Sequence, residues 1–119
     1  MIKMYCIFSR ESLKLMKGVR GKMTSQAGHA FLHSYWDSKK RFPEHVEAYE
    51  KSDHAVKITC VVETNEELLE ILEAYRSVCG VTEVIDAGFT LFNQPTLTCI
   101  GIGPITEELI DIHPSGELN

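Results

Sequence analysis

Ala55-Val56-Lys57-Ile58-Thr59-Cys60-Val61-Val62-Glu63 is followed at once by Thr64-Asn65-Glu66-Glu67-Leu68-Leu69. The first stretch is rich in β-branched residues and holds no Gly or Pro, so it reads as a strand, central in its sheet. The second opens a helix. The Thr64 hydroxyl can accept from the Glu67 amide while the Glu67 carboxylate reaches back, the signature of a capping box. Leu68, Leu69, Leu72 and Tyr75 recur at helical spacing, carrying the helix to about Cys79, and Gly80 stops it. A strand that passes directly into an amphipathic helix points to a layered α/β fold.

The alternation continues in both directions from this unit. Residues 3–9 (K-M-Y-C-I-F-S) form a short apolar strand, and residues 10–21 read as a loop broken by Gly18 and Gly21. Residues 22–37 read as a helix, from the spacing of Met23, Ala27, Ala30, Phe31 and Tyr35. Residues 38–43 interrupt it, and Pro43 can open a second helix through residue 51. Residues 82–86 are a short strand and residues 87–95 a connection. Residues 96–103 (T-L-T-C-I-G-I-G) make a last strand closed by Pro104, and residues 105–110 a helical turn. The order predicts a three-layer α/β sandwich, with helices on both faces of a small mixed sheet. Its last two strands pair antiparallel, because nine residues are too few for a helical crossover.

Composition agrees with one globular domain over residues 1–119. Apolar residues make up 44% and charged residues 24%, enough to bury a core and too apolar for a disordered chain. No run approaches the ~18 apolar residues of a membrane helix, and the first residues carry no secretory signal pattern, so a cytoplasmic location is expected. The four cysteines, at 6, 60, 79 and 99, form no C-x-x-C pair. Cys6, Cys60 and Cys99 fall in apolar runs and are expected as buried free thiols.

The net charge of −5 is unevenly placed. Residues 1–62 hold 11 of the 12 Lys and Arg and 6 of the 17 acids, a net of +5, whereas residues 63–119 carry −10. Such asymmetry suggests a basic face for an anionic partner and an acidic face turned away from it. A solvated acidic helix would also account for the second half.

Four segments carry candidate chemistry. Gly18-Val19-Arg20-Gly21-Lys22 stands between a strand and a helix, where free amides bind anions. It is not a nucleotide-triphosphate loop: Met16 stands where the leading glycine is required, and Met23 where Ser or Thr is. His29, His33 and Asp37, at i, i+4 and i+8, could grip a metal, although H-E-x-x-H is absent. Lys22, Gln26, His29 and His33 form a polar stripe that is equally suited to facing solvent. Asp86-Ala87-Gly88-Phe89-Thr90 closes a strand with a carboxylate, either at a ligand site or in an ordinary turn.

Taken together, the last two segments resemble the type-2 peptidyl-tRNA hydrolases of archaea and eukaryotes. Gly21 followed by Lys22-Met23-Thr24-Ser25-Gln26-Ala27-Gly28-His29-Ala30 is similar to that family's G-K-x-A-A-Q-x-x-H-A motif. Asp86-Ala87-Gly88-Phe89-Thr90 resembles its D-A-G-x-T, and Thr98-Cys99-Ile100-Gly101-Ile102-Gly103-Pro104 its T-V-L-G-I-G-P. Ile110-Asp111 and Ser115-Gly116-Glu117-Leu118 resemble its I-D-x-x-T-G-x-L tail, with one extra residue between the halves. Four matches in order span nearly the whole chain.

The resemblance implies a mixed four-stranded sheet between helices, usually in a homodimer. It also implies cleavage of the ester joining a peptide to the tRNA 3′ ribose, with no cofactor and no required metal. Lys22, Gln26, Asp86, Thr90 and Thr98 match the proposed active-site positions; His29 matches a motif position to which the resemblance assigns no role and is taken as a substrate-binding candidate. Those residue types suit ester hydrolysis, which needs a positioned water and a stabilised oxyanion. Departures from the pattern are the longer loop before Lys22, Thr24-Ser25 in place of a small Ala pair, and Phe89 where a basic residue is frequent.

A tRNA partner would meet phosphate-binding cations. The candidates are Arg10, Lys14, Lys17 and Arg20 before the helix of Lys22, and Lys39, Lys40 and Arg41 after it. Tyr35 and Trp36 could stack a terminal base. The alternative is a catalytically silent or retargeted relative that binds RNA or protein.

Overall fold

In the computed structural model, residues 1–86, 95–112 and 114 are described. Strand β1 (Ile2–Ser9) leads into α1 (Arg10–Met16), the long α2 (Arg20–Arg41) and α3 (Pro43–Lys51). Then follow β2 (Lys57–Val62), α4 (Asn65–Tyr75), β3 (Val81–Asp86) and β4 (Thr96–Thr106), with one 3-10 turn at Glu107–Leu109. The sheet order is β2-β1-β4-β3. β1 pairs parallel with β2 and antiparallel with β4, and β3 with β4 is antiparallel as expected. The mixed four-stranded α/β sandwich is therefore present.

Alternating side chains of β1 feed two cores. Tyr5 and Ile7 pack with Leu68, Leu72 and Tyr75 of α4 and with Ile100 and Ile102 of β4. Cys6 and Phe8 face the other way, against Met16, Ala30, Val61, Val84 and Cys99. Helix α4 thus covers one face, and α1 and α2 cover the other.

Several expectations need correction. The Lys57–Val62 strand is an edge rather than central, and its burial alternates over the first four residues. The central strands are β1 and β4, which are buried almost continuously. Residues 10–16 are helical, not a loop, because Ser9 and Ser12 form a full capping box: Ser12 N–H donates to Ser9 Oγ at 3.0 Å and Ser9 N–H to Ser12 Oγ at 3.3 Å. At Thr64 only half of the expected box exists, the Glu67 amide donating to the Thr64 hydroxyl at 3.1 Å. Helix α2 runs on to Arg41, and the α4 helix stops at Tyr75. Strand β4 continues past Pro104, with Gly103 at φ +109° and a cis bond to Pro104. Cys6 and Cys99 are buried, Cys60 is half-buried, and Cys79 joins the buried set.

Candidate active site

Helix α2 lies unusually close to the sheet because the facing residues are small. Its buried positions are Gln26, Ala30, Ser34 and Ser38. A Cβ on Gly101 of β4 would collide with the Ala30 carbonyl, and one on Gly80 would stand 2.5 Å from the Ser34 carbonyl oxygen. This close approach brings the first turns of α2 against the ends of β3 and β4.

Four of the sequence candidates meet there. The Lys22 ammonium pairs with the Asp86 carboxylate at the end of β3. The pair is well shielded, with Asp86 only 6% exposed and the Lys22 side chain 17%. One turn on, the Gln26 amide Nε2 donates to Thr98 Oγ1 at 3.0 Å, and that hydroxyl donates to the Val84 carbonyl at 2.9 Å. Thr98 is fully buried, and its proton is committed to Val84. In this arrangement it fixes Gln26 from behind. Thr90, with Phe89 before it, lies outside the described residues, as does the Ser115–Leu118 part of the tail motif.

The remaining candidates are spread along α1 and α2. Lys14, Lys17 and Arg20 are exposed at the α1–α2 corner, while Arg10 faces Glu63 at 3.6 Å. Lys39 and Lys40 are exposed at the far end of α2. Arg41 is held by the protein itself. Its guanidinium donates to Asp37 and to the carbonyl oxygens of Arg76 and Cys79, the last at 3.0 Å. Asp37 also accepts from the Val81 N–H at 2.9 Å. Burial disfavours ionised Asp37, but Arg41 and the Val81 amide outweigh it and hold the carboxyl below its ordinary value.

Those partners correct the metal reading, because Asp37 faces Arg41 and β3, not the two histidines. Among the described residues, no three His, Cys, Asp or Glu side chains gather as metal ligands. His29 and His33 are exposed, and their rings stand 5.6 Å apart. The Tyr35 hydroxyl donates to Glu50, whereas Trp36 is 51% exposed. A cavity of about 610 Å³ opens on the β1–β2 side of the α2 start, lined by Phe8, Arg20, Met23, Thr24, Ala27 and Thr59 among others. Sequence reasoning did not single it out, since its walls come from β1, β2, α2 and the turn before α2.

A shielded Lys–carboxylate pair beside a buried amide, at the start of a helix laid over a mixed sheet, gives this α/β protein groups suited to ester hydrolysis. The family model for peptidyl-tRNA hydrolase PTH2 matches residues 2–117, and the chain belongs to that family. It is 38% identical over 106 residues to the peptidyl-tRNA hydrolase of Methanopyrus kandleri, covering 88% of this chain and 87% of that one. The Methanothermobacter thermautotrophicus peptidyl-tRNA hydrolase is 35% identical, with 88% of each chain covered. That of Methanocaldococcus jannaschii is 34% identical over 77% of this chain and 80% of the relative.

Proposed function

We propose that this chain hydrolyses the ester of peptidyl-tRNA, or of an N-blocked aminoacyl-tRNA, releasing free tRNA and the peptide acid. The observation that carries the reading is the shielded Lys22–Asp86 pair beside Gln26, in a chain of the PTH2 family. Water adds to the ester carbonyl, and the tetrahedral intermediate expels the ribose oxygen, which leaves protonated as the tRNA hydroxyl. Asp86 orients the attacking water and can take its proton. Lys22 and the nearby α2 amides stabilise the oxyanion. Gln26, locked by Thr98, hydrogen-bonds the ester or the water, and Thr90 completes the site as the family motif implies.

Arg10, Lys14, Lys17 and Arg20, with Lys39 and Lys40, take up tRNA phosphates on the two sides of α2. Arg41 is left out of this set because its donors hold the α4 end. His29 meets substrate from the exposed flank of α2. We further propose that residues 1–119 act as one unit, in the cytoplasm, as a homodimer and without a metal. No helix among the described residues is long and apolar enough to cross a membrane.

The test is release of free tRNA from an N-acetyl-aminoacyl-tRNA, in EDTA, with Asp86→Asn in parallel. Cleavage by the parent and its loss in the variant is the expected result. A folded parent that binds tRNA without cleaving it would instead favour the silent-relative reading.

A further inference from the structure

The exposed flank of α2 carries a column of rings. His29 and His33 stand 5.6 Å apart, and the His33 ring stacks on Trp36 at 5.3 Å with an 18° interplanar angle. All three residues are exposed, and they occupy i, i+4 and i+7 of one helix. The column continues the stripe that starts at Lys22, and exposed Lys39 and Lys40 stand just beyond its other end. Rings flanked by cations are what a single-stranded nucleic acid needs: π-faces for its bases and positive charge for its phosphates.

We infer that His29, His33 and Trp36 form a stacking platform for the single-stranded 3′ end of the tRNA. The inference rests on the hydrolase reading. The strand's terminal ester lies at Lys22–Asp86, its bases lie along the column, and the start of the duplex meets Lys39 and Lys40. The lengths agree. Lys22 to Trp36 is about 21 Å along the helix at 1.5 Å per residue, which a four-nucleotide 3′ end covers at about 5 Å per nucleotide, more open than the ~3.4 Å of a stacked strand and matched to the 5.6 and 5.3 Å ring spacings of the column. Continuity with the site and charge at both ends favour this occupant over an apolar partner.

Trp36 is the only tryptophan in the chain, so its fluorescence reports on the platform directly. The probes are an RNA hairpin with a four-nucleotide 3′ overhang ending in CCA and the same hairpin without the overhang. The overhang should quench Trp36 strongly and the blunt hairpin little. His33→Ala, which keeps Trp36, should shift the titration midpoint about 5- to 150-fold, the effect of one lost stacked base. Trp36→Ala should raise KM by a similar factor while kcat stays within about twofold.

Asp86→Asn should quench like the parent while losing turnover, which separates the platform from the chemistry. Quenching in a parent that does not cleave would keep the platform and remove the hydrolase reading. Equal quenching by both hairpins, no quenching, or unchanged KM in Trp36→Ala would overturn the platform. So would a dimer that dissociates on Trp36→Ala, since that assigns the face to a second copy of the chain.

Discussion

The Lys22 ammonium and the Asp86 carboxylate, 64 residues apart in sequence, are paired where α2 begins and β3 ends. The pair joins a cation suited to an oxyanion with a carboxylate suited to water. Lys22→Met and Asp86→Asn are each expected to lower kcat by about 10²- to 10⁴-fold. Far-ultraviolet circular dichroism should stay parental, because the core clusters are untouched. Rates within threefold of the parent in both variants would remove these residues from the chemistry.

Thr98 supports the site from behind. Thr98→Val deletes the acceptor of Gln26 and the donor to Val84, two buried bonds, and is expected to cost about 1–3 kcal/mol in urea unfolding. Thr98→Ser keeps both bonds and should restore most of the stability and turnover. In a double-mutant cycle with Gln26→Leu, a coupling of about 1 kcal/mol is expected. Additivity would mean that the Gln26–Thr98 bond contributes nothing to the fold.

Two glycines should respond with opposite signs. Gly101→Ala forces a methyl group into the Ala30 carbonyl and should destabilise by about 1–3 kcal/mol or more. It should also lower activity, since α2 must lift off β4. Gly28 is exposed in the interior of α2, with open space where an alanine methyl would stand, so Gly28→Ala should stabilise by about 0.5–1 kcal/mol. Thermal unfolding of the two variants checks both.

Asp37 makes stability fall in acid. Its folded carboxyl titrates below the ordinary 3.8, so the unfolded chain binds the proton first as pH drops. The stabilisation is therefore complete above about pH 5 and is lost as pH falls through the folded value. Asp37→Asn should be less stable than the parent at pH 7, and the gap should close towards pH 2. A gap that stays constant with pH would show that the Asp37–Arg41–Val81 contacts act through shape alone.

The basic residues around α2 should appear as salt dependence. Each phosphate contact removed is expected to reduce the slope of log K against log salt by about 0.7–0.9. Lys14→Gln with Arg20→Gln should weaken tRNA binding and flatten that slope by about 1.5. Arg41→Gln should act on thermal stability instead, since its donors hold Asp37 and the α4 end.

Much of the architecture is written locally. The β-branched run at 57–62, the hydroxyl at Thr64 and the leucine spacing behind it determine a strand and a helix over a few residues each. The motif segments containing Lys22, Gln26, Asp86 and Thr98 are likewise visible without coordinates. The Ser9–Ser12 box was a local signal too, hidden because serine at the third helical position is weaker evidence than glutamate.

Edge and centre were not legible. An apolar β-branched run looks the same whether one or both of its hydrogen-bonding edges are occupied, and only the pairing of β1 with β4 left β2 outside. Asp37 shows a second limit. At 3.6 residues per turn, each step of four residues drifts about 40°, so the third member of an i, i+4, i+8 set has turned about 80°. That drift takes Asp37 away from the histidines to Arg41 and the Val81 amide. The chain alone determined which residue types stand at each element's ends. The tertiary structure decided which of them touch, because Gly101 and Ala30 let α2 approach β4 closely enough for Lys22 to reach Asp86.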